Sequence, residues 1–463
     1  MVSHFPGGKN GPMIGILSST AVSDAEGIRI TPSTWPNFND MRALIWFRND
    51  LRIHDHEGLH KASTDHREHI GLYCFGPAQF GETTSGLPKT GAFRAHFTIE
   101  SVIQLRYNLQ TLGGDLIVRQ QDPAEVIAQI HKESPLDVIY FESENTFEEQ
   151  QEEEAVRALG IPMESYWGKT LVHPEDVAKG IERLPNGFTS WRKRQEAHWA
   201  IRDEFPRPHQ LFFPETLAIG PIPTLDGLGI EAPESDARGV LSFKGGESEA
   251  LARLQHYFWD ANELRRYKET RNGLLGPDYS SKFSPWLANG SLSPRRVYFE
   301  ILRYEEQVEK NESTYWMIFE LLWRDFFRFK SMKLGAGFFK HPVQGRIKNP
   351  WGLSEFRAWV AGETGVPFVD ANMRELAATG FMSNRGRQNV ASYLINDLRV
   401  DWTLGAEWFE SLLIDYDVAS NYGNWTYLAG NGADPRGKRY FNIPKQASMY
   451  DPDGSFQAHW LED

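Results

Sequence analysis

The chain has 463 residues, a formal net charge of −13 and a hydrophobic fraction of 40%. This length suits two or three domains, and the hydrophobic fraction excludes a wholly disordered protein. The acidic balance excludes a uniformly basic coat, although a local groove could still bind nucleic acid. Cys74 is the only cysteine, so no intramolecular disulfide can form. That indicates a reducing, intracellular compartment without distinguishing cytoplasm, nucleus or organelle.

Residues 1–40 are rich in glycine, proline and serine and lack periodicity. We expect them to form a leader, either a disordered segment or a targeting peptide. Residues 41–204 then alternate short apolar runs with helical patterns. Strands are predicted at 43–47, 70–75, 115–118 and 137–141, with helices at 93–112 and 123–132. This alternation predicts a Rossmann-like α/β domain with a parallel sheet.

The second half of the chain has a different pattern. Residues 205–246 are rich in proline and glycine and are predicted to link two domains. Helix-length patterns dominate residues 247–463, so we expect an all-α domain there. The sequence contains no run of about 18 apolar residues, so no membrane span is predicted. Consecutive glutamates at 148–154 indicate a solvated helix face rather than a metal site, and no metal is expected.

Three groups of polar residues in the second half allow more than one interpretation. Ser280, Ser281 and Ser284 precede a short apolar run, where they could bind phosphate or simply cap a helix. Glu320 and Arg324 are four residues apart, a spacing that suits an ordinary ion pair on one helix face. Asp415 and Asp417 could form an acid pair, but two such carboxylates more often lie in a cap or a surface loop.

Five segments resemble the photolyase and cryptochrome family. They are LIWFRNDLR at 44–52, YSSKFSPWL at 279–287, ELLWRDFF at 320–327, GFMSNRGRQ at 380–388 and DYDVASNYGNW at 415–425. The last four are specific, and they occur in the family's order from about residue 43 to residue 463. The resemblance implies an α/β antenna domain followed by a helical domain that binds FAD.

The resemblance also implies the residues that contact FAD. They are Tyr267, Ser280, Ser281, Lys282, Phe283, Ser284, Glu320, Arg324, Asn384, Arg387, Asp415, Asp417 and Asn421. Arg387 would pair with Asp415, and Asp417 would accept a hydrogen bond from the isoalloxazine ring. Asn421 would face flavin N5, where an amide cannot supply a proton and so favours an anionic reduced flavin. Plant signalling cryptochromes carry an acid there and animal ones a cysteine, so Asn421 indicates repair.

Within the family, the chain resembles the DASH branch. Gln388 replaces a usual methionine, Tyr427 replaces a usual tryptophan, and residues 431–439 and 441–446 are typical of that branch. The implied activity is that of a deoxyribodipyrimidine photo-lyase. Reduced FAD would absorb blue light and pass an electron to a flipped cyclobutane pyrimidine dimer, which then splits. Single-stranded or looped DNA is the expected substrate, because flipping a base from a duplex costs a few kcal/mol.

The implied catalytic residues are Glu320, Trp323, Asn384 and Asn421, and the implied DNA contacts are Glu320, Trp323, Asn384, Gln388 and Tyr427. Basic residues from Arg324 to Lys348, with Arg436, Lys438 and Arg439, would form a phosphate track. Two alternatives remain. One is a blue-light receptor that signals through protein partners, and the other is a flavoprotein that binds nucleic acid without repairing it. A monomer is expected.

Two further features follow from the resemblance. Trp425, Trp402 and Trp359 match a chain of tryptophans that carries electrons from the surface to the flavin, with Trp351 as the alternative outermost member. Ordinary core packing is the competing interpretation of these residues. A methenyltetrahydrofolate antenna is expected beside Glu144, although Glu142 stands where the family commonly has a histidine.

Overall fold

A parallel sheet and a helical half make up the parts of the chain that the structure, a computed structural model, describes: residues 41–339, 350–430 and 439–462. Residues 39–463 belong to one compact unit. The predicted leader at 1–40 and all but the last residue of the 431–439 segment lie outside the described residues. Within the described parts, no helix is long and apolar enough to cross a membrane.

The sheet has five parallel strands in the order β3-β2-β1-β4-β5. The strands are β1 Arg42–Phe47, β2 Glu68–Cys74, β3 Leu116–Arg119, β4 Val138–Glu142 and β5 Met163–Tyr166. The first four were predicted, because burial on both faces makes them nearly continuous apolar runs. β5 was missed. It lies at the edge of the sheet, and of its four residues only Tyr166 is buried.

Helices connect the strands. They are α1 Glu57–Asp65, α2 Pro77–Phe80, α3 Ala92–Gln110, α4 Pro123–Glu133, α5 Phe147–Arg157 and α6 Phe188–Glu196. The glutamate run lies on α5, with Glu148 and Glu154 exposed as expected. Glu153 instead points inward and pairs with Arg48 at 2.6 Å. The predicted Rossmann-like α/β half is therefore confirmed.

Residues 205–246, all of them described, contain only one short 3₁₀-helix, Asp226–Leu228. The segment follows the sheet closely. The amide of His69 donates to the carbonyl of Phe212 at 2.7 Å, and the amide of Val118 donates to that of Ile219 at 2.8 Å. The segment predicted to link two domains is thus packed onto the α/β half.

The remaining described residues are mostly helical, as predicted. The helices are α7 Glu247–Gln255, α8 Tyr267–Thr270, α9 Ser284–Ala288, α10 Pro294–Gln307, α11 Glu312–Leu334, α12 Ser354–Ala361, α13 Pro367–Thr379, α14 Asn384–Asn396, α15 Trp402–Leu412, α16 Val418–Leu428, α17 Ile443–Tyr450 and α18 Ser455–Leu461. The longest, α11, begins at a capping box formed by Asn311 and Thr314.

Buried polar contacts join the α/β half to the helical half through the segment that follows β1. Asp55, which is 1% exposed, accepts hydrogen bonds from the Arg295 guanidinium at 2.6 and 2.9 Å. Beside it, Glu247 accepts from the backbone amides of Ile53 and His54, both at 3.0 Å. Because these groups lie out of contact with water, removing one partner would leave the other uncompensated.

His54 in this segment is held neutral. Burial lowers its pKa, and the adjacent Glu247 only partly opposes that effect. The neutral ring can donate from Nδ1 to Glu247 at 2.5 Å and accept at Nε2 from the amide of Ser293 at 3.3 Å. Gly290 lies against the same segment with φ of 74°, and a Cβ there would lie 2.0 Å from the carbonyl oxygen of Asn49. Only glycine fits this approach.

We predict that Asp55→Asn lowers the free energy of unfolding by about 3–5 kcal/mol, the usual cost of breaking a buried ion pair. Asparagine keeps the shape of the side chain and tolerates the positive φ of 45° at this position. Denaturant titration of the full chain measures the change.

The matched control is Asp176→Asn, which removes one of the two acidic partners of Arg202, in a pair whose side chains are 42% and 28% exposed. That change should cost no more than about 1 kcal/mol. Equal losses in the two variants would show that the Asp55 contact does not hold the halves together.

Candidate functional site

A small cavity lies between α14, α15 and α16. It is lined by Asn384, Arg387, Gln388, Asp415, Asp417, Asn421 and Trp425, among others. Seven residues predicted from two separate stretches of the sequence, 380–388 and 415–425, are therefore brought together. The cavity has a volume of about 90 Å³, much less than a dinucleotide occupies. It can hold only one part of FAD, and the remaining groups would have to lie along neighbouring residues.

The ion pair predicted between Arg387 and Asp415 is present on the cavity wall. Arg387 Nη2 donates to Asp415 Oδ2 at 2.8 Å, and Nε donates to the carbonyl of Met382 at 2.9 Å. The second carboxylate oxygen of Asp415 is buried and has no hydrogen-bond partner among the described residues. An acceptor is thus available at the wall of the cavity.

Asp417 caps α16 and is firmly ionised. One carboxylate oxygen accepts from the amide of Ser420 at 2.7 Å, and the other contacts the guanidinium of Arg328. Burial would raise the pKa of Asp417, but Arg328 and Arg324 outweigh it and hold the pKa at about 2. The aspartate is therefore both the helix cap suggested by its sequence context and a charged acceptor at the cavity.

Asn421 lies on the first turns of α16 and is 8% exposed. Its amide nitrogen donates to the carbonyl of Ala406 at 3.0 Å, which anchors the side chain to α15. A side-chain amide can donate a hydrogen bond, but it does not release a proton in the ordinary pH range. The cavity therefore contains a hydrogen-bonding group, but no acid, at this position.

The loop before α9 does not use its serines as a helix cap. Phe283 occupies the cap position and makes no capping bond with its side chain, so the capping interpretation is wrong. Arg253 instead binds the carbonyl oxygens of Ser280 and Ser281 at 3.2 and 3.0 Å. Lys282 is 3% exposed, and its Nζ has no hydrogen-bond partner in the described parts of the chain.

Glu320 and Arg324 do not form the ion pair that their spacing suggests. Glu320 contacts the guanidinium of Arg271, while Arg324 donates to the carbonyls of Lys169 and, at 2.8 Å, Leu287. The ion-pair interpretation is wrong because both side chains find partners on other elements. Burial raises the pKa of Glu320, although Arg271 opposes the shift.

Aromatic side chains surround the predicted substrate residue Trp323. Its ring stacks on Phe188 with centroids 3.7 Å apart and meets the edge of Tyr427 at 5.9 Å. Gln388, predicted to contact the same substrate, accepts from Arg385 at 2.7 Å. Tyr267, beside Glu320, is 7% exposed, and burial raises its pKa.

The comparisons with known proteins agree with this geometry. A family model described as "DNA photolyase" matches residues 43–209, and one described as "FAD binding domain of DNA photolyase" matches residues 316–463. Cryptochrome DASH of Gloeobacter violaceus is 52% identical over 426 residues, which cover 90% of this chain and 85% of that one. Cryptochrome DASH of Danio rerio is 48% identical, with coverage of 90% and 82%.

The chain belongs to the DASH branch of the photolyase/cryptochrome family. A solved structure agrees, since the fold superposes on a cryptochrome of Synechocystis sp. with a TM-score of 0.86 at 49% identity, covering 91% of this chain and 88% of that one. The predicted family, fold class and flavoprotein character are thereby confirmed.

The buried polar atoms fit FAD. Besides Lys282 Nζ and Asp415 Oδ1, the orphaned atoms among the described residues include Tyr279 OH, Asn372 Oδ1, Asn389 Oδ1 and both carboxyl oxygens of Glu375. Buried donors and acceptors are rarely left unpaired in native proteins. A ligand rich in phosphate, hydroxyl and amide groups would satisfy this set, so the residues present fit the cofactor of the family.

Sequence analysis missed several of these residues. Asn372 and Glu375 lie on α13 and are both completely buried. A signal was available, because the two polar residues lie among Phe368, Ala371 and Leu376 on the apolar stripe of the helix. A polar group on a buried stripe needs a partner, which marks it for attention.

The predicted tryptophans have different environments. Trp425 and Trp402 are both 2% exposed, Trp359 is completely buried, and Trp351 is 42% exposed. The Trp359 ring lies 6.4 Å from Trp425 and 6.1 Å from Phe356, which lies 5.7 Å from Trp351. Trp359 is therefore unsuitable as the outermost, surface member of an electron chain, whereas Trp351 has the exposure that this position needs.

The predicted phosphate track is not found along α11. Arg328 and Lys330 are 3% and 7% exposed, and Lys333 donates to the carbonyl of Leu184. This part of the prediction is wrong, because α11 lies in the centre of the helical half and its cations serve internal contacts. The members at 340, 346, 348, 436 and 438 lie outside the described residues.

A larger cavity, of about 960 Å³, lies beyond the carboxyl ends of β1 and β2. Its lining includes Arg48, Asn49, Glu144, Arg328 and Tyr422. The strand order reverses between β1 and β4, and the crevice at such a point is the usual ligand site of an open parallel sheet.

The predicted antenna residue, Glu144, lies in this cavity's wall. It contacts Lys169 and lies 3.4 Å from Arg328, so it is linked through Arg328 to Asp417 at the flavin cavity. Burial opposes ionisation, but these cations lower the pKa of Glu144. Glu142 is 1% exposed, and it accepts from the amide of Gly168 at 2.9 Å. It is therefore committed to an internal contact.

Proposed function

We propose that this chain repairs cyclobutane pyrimidine dimers under blue light, with a preference for single-stranded DNA. The observation that carries the proposal is the arrangement of two groups of residues, those predicted to contact the flavin and those predicted to contact the dimer. Asn384 and Gln388 on α14 line the cavity with Asn421, while the carboxyl of Glu320 and the ring of Trp323 project from α11. Reduced FAD, when bound, supplies an electron donor that blue light can excite.

The residues of the chain would position and stabilise the dimer. Trp323, already stacked on Phe188, presents a fixed aromatic face on which an extruded base can stack. Glu320, which contacts Arg271, would hydrogen-bond the dimer, and burial raises its pKa while Arg271 opposes the shift. Asn421 keeps an acidic proton away from the flavin.

Three cations near this pocket would bind the DNA backbone. Arg271 contacts Glu320, Arg385 lies over the Tyr450 ring at 4.3 Å, and Arg439 lies over the Tyr427 ring at 4.5 Å. Arg385 also donates to Asn272, the neighbour of Arg271. These arginines take the place of the phosphate track expected on α11. A site of this kind would bind DNA through the negative charge of its phosphates and through stacking of its bases on aromatic side chains. Proteins that bind single-stranded nucleic acid use the same two interactions.

The first test is dimer repair by photoreduced protein on single-stranded, looped and duplex DNA, with a dark control. We expect light-dependent repair that is fastest on the single strand, because no unpairing energy of a few kcal/mol is needed there. Trp323→Ala should lose about 1–3 kcal/mol of dimer binding, and Glu320→Gln should slow repair roughly 10²-fold.

Trp259→Ala is the matched control, because Trp259 is also half-buried and carries no proposed role. Its repair should equal that of the parent chain. Absence of repair on every substrate, with flavin bound and reducible, would exclude the enzyme and favour a receptor that signals through protein partners.

We further propose that electrons reach the flavin from the surface through Trp351. Trp351→Phe should slow light-driven reduction of the bound flavin at least about ten-fold, because the exposed donor is lost and the other members of the chain, Trp359, Trp402 and Trp425, are buried. Absorbance of the flavin under steady blue light with an external reductant measures this rate. Repair by chemically reduced Trp351→Phe should be unchanged, and an unaltered photoreduction rate would exclude Trp351 as the exit.

The larger cavity is proposed to hold a methenyltetrahydrofolate antenna. Glu149, Glu152 and Glu410 lie in its lining, where burial raises the pKa of Glu152 and of Glu410 to about 7. The positive charge of the methenyl bridge would favour the ionised form of these acids. Glu144 would hold the pterin through hydrogen bonds.

Glu144→Gln should reduce folate retention about ten-fold or more, the order expected for loss of a charge-assisted hydrogen bond. The folate absorbance of the purified protein measures retention, and FAD content reports whether the fold survives. Glu154→Gln, on exposed α5 surface, is the control. Full folate retention by Glu144→Gln would show that the antenna binds at another site.

A further inference from the structure

Two groups of opposite sign, Lys282 and Glu375, are among the buried side chains that leave polar atoms unpaired near the expected FAD site. Glu375 is completely buried, and Lys282 is 3% exposed. Neither the ammonium nitrogen nor either carboxyl oxygen has a hydrogen-bond partner within the described ranges 41–339, 350–430 and 439–462. A buried charge without a partner costs several kcal/mol, so the fold must neutralise these groups or hold them for a ligand.

The backbone holds Lys282 in place. Its φ of 55° lies in the left-handed region, which a lysine adopts only where the surroundings impose it. The Nζ atom lies 3.2 Å from the centre of the Tyr279 ring. Glu375 projects from the middle of α13, a helix that packs against α12, α14 and α18. The two side chains come from elements far apart in sequence, so their proximity is a product of the fold.

The surrounding charges are already committed elsewhere. Asp278 and Arg253, which face Lys282, form an ion pair with each other at 2.8 Å. Arg387, which faces Glu375 from α14, is paired with Asp415. Lys282 and Glu375 also act on each other, but they form no direct salt bridge. Their unpaired polar atoms are therefore available to another group.

Burial favours the uncharged form of both side chains. It lowers the pKa of Lys282 to about 6, with Arg253 acting in the same direction, and Glu375 and Asp278 opposing. It raises the pKa of Glu375 to about 8, opposed by Lys282 and Arg387. Near neutral pH the carboxyl group therefore holds its proton and the amine has none, which removes two charges from the protein interior.

The location of Lys282 connects the pair to FAD. It lies between Ser281 and Ser284, in the loop expected to hold the cofactor's diphosphate. A diphosphate carries two negative charges, and an ammonium group is a strong donor to phosphate oxygen. Binding of the diphosphate would favour the protonated form of Lys282 and would also raise the pKa of Glu375.

We propose that Lys282 and Glu375 form a proton-responsive pair that the diphosphate of FAD completes, so that cofactor binding takes up a proton from solvent onto the amine of Lys282. In this step –NH₂ gains H⁺ from the buffer and becomes –NH₃⁺, and no bond is broken in the cofactor. Glu375 stays neutral and donates its O–H. The inference rests on the assignment of the FAD site.

The test is calorimetric titration of FAD into the flavin-depleted full chain, in buffers of different ionisation enthalpy at each pH. Net proton uptake should be near zero at pH 5, where Lys282 is already charged, and about one proton at pH 7.5. Above pH 8 it should rise further, because Glu375 is then ionised before FAD binds and regains its proton on binding. Circular dichroism verifies that each chain is folded.

Three variants separate the two groups. Lys282→Arg, always charged, should bind FAD without the uptake centred near pH 6, and Lys282→Met should lose that uptake together with at least about ten-fold in affinity. Glu375→Gln should keep the uptake near pH 6 but lose the rise above pH 8. His256→Gln is the control, because His256 is a titratable neighbour that contacts Asp278 at 3.3 Å. It should leave the profile unchanged.

The outcomes are distinct. Binding of one FAD with no proton uptake at pH 7.5 would overturn this inference while leaving the site assignment intact, as would an unaltered profile in Lys282→Arg. Loss of the uptake in His256→Gln would assign the proton to His256 instead. Failure of the parent chain to bind FAD would overturn both the inference and the proposed function.

Discussion

The segment Leu51–Asp55 determines how the rest of the molecule is arranged, because it fixes the sheet against the helices with buried polar contacts. Asp55 binds Arg295, and Glu247 binds the backbone of Ile53 and His54. These bonds are directional, so they specify one orientation where apolar packing alone would allow several. The 960 Å³ cavity has walls from both halves, and its shape therefore depends on this orientation.

A second consequence is electrostatic. With the halves held in place, Arg328 on α11 reaches both Glu144, which follows β4, and Asp417, which caps α16. One buried cation thus helps to keep two acids ionised, one at each candidate pigment site, together with Lys169 at Glu144 and Arg324 at Asp417. Removing it would weaken the compensation of both carboxylates.

The helical half shows how a cofactor site is built from unpaired groups. Most buried polar atoms in a folded protein have partners, yet Lys282, Glu375, Asn372, Asn389 and Asp415 leave atoms unpaired around one region. A protein that folds around a ligand need not satisfy these groups by itself. The unpaired groups destabilise the ligand-free chain, and cofactor binding removes this destabilisation. Cofactor affinity and stability are therefore linked.

Local patterns were sufficient for the elements and for the chemistry of the motifs. Apolar runs predicted β1 to β4, and helix-length patterns predicted the helical half, because each is governed by neighbours within a few residues. The segments at 380–388 and 415–425 pointed to the residues that line one cavity, including the Arg387–Asp415 pair.

Partner choice was decided by the tertiary structure. Glu320 pairs with Arg271 instead of Arg324, the serines before α9 do not cap it, and Arg328 and Lys330 of α11 are buried. In each case the local interaction competes with one from a distant element, and burial makes the distant one stronger. The same cause explains why three other features were not predicted from the sequence: the edge strand β5, the internal position of Trp359 and the burial of Glu375. Which side of an element faces the core depends on what packs against it, and that information is spread over the whole chain.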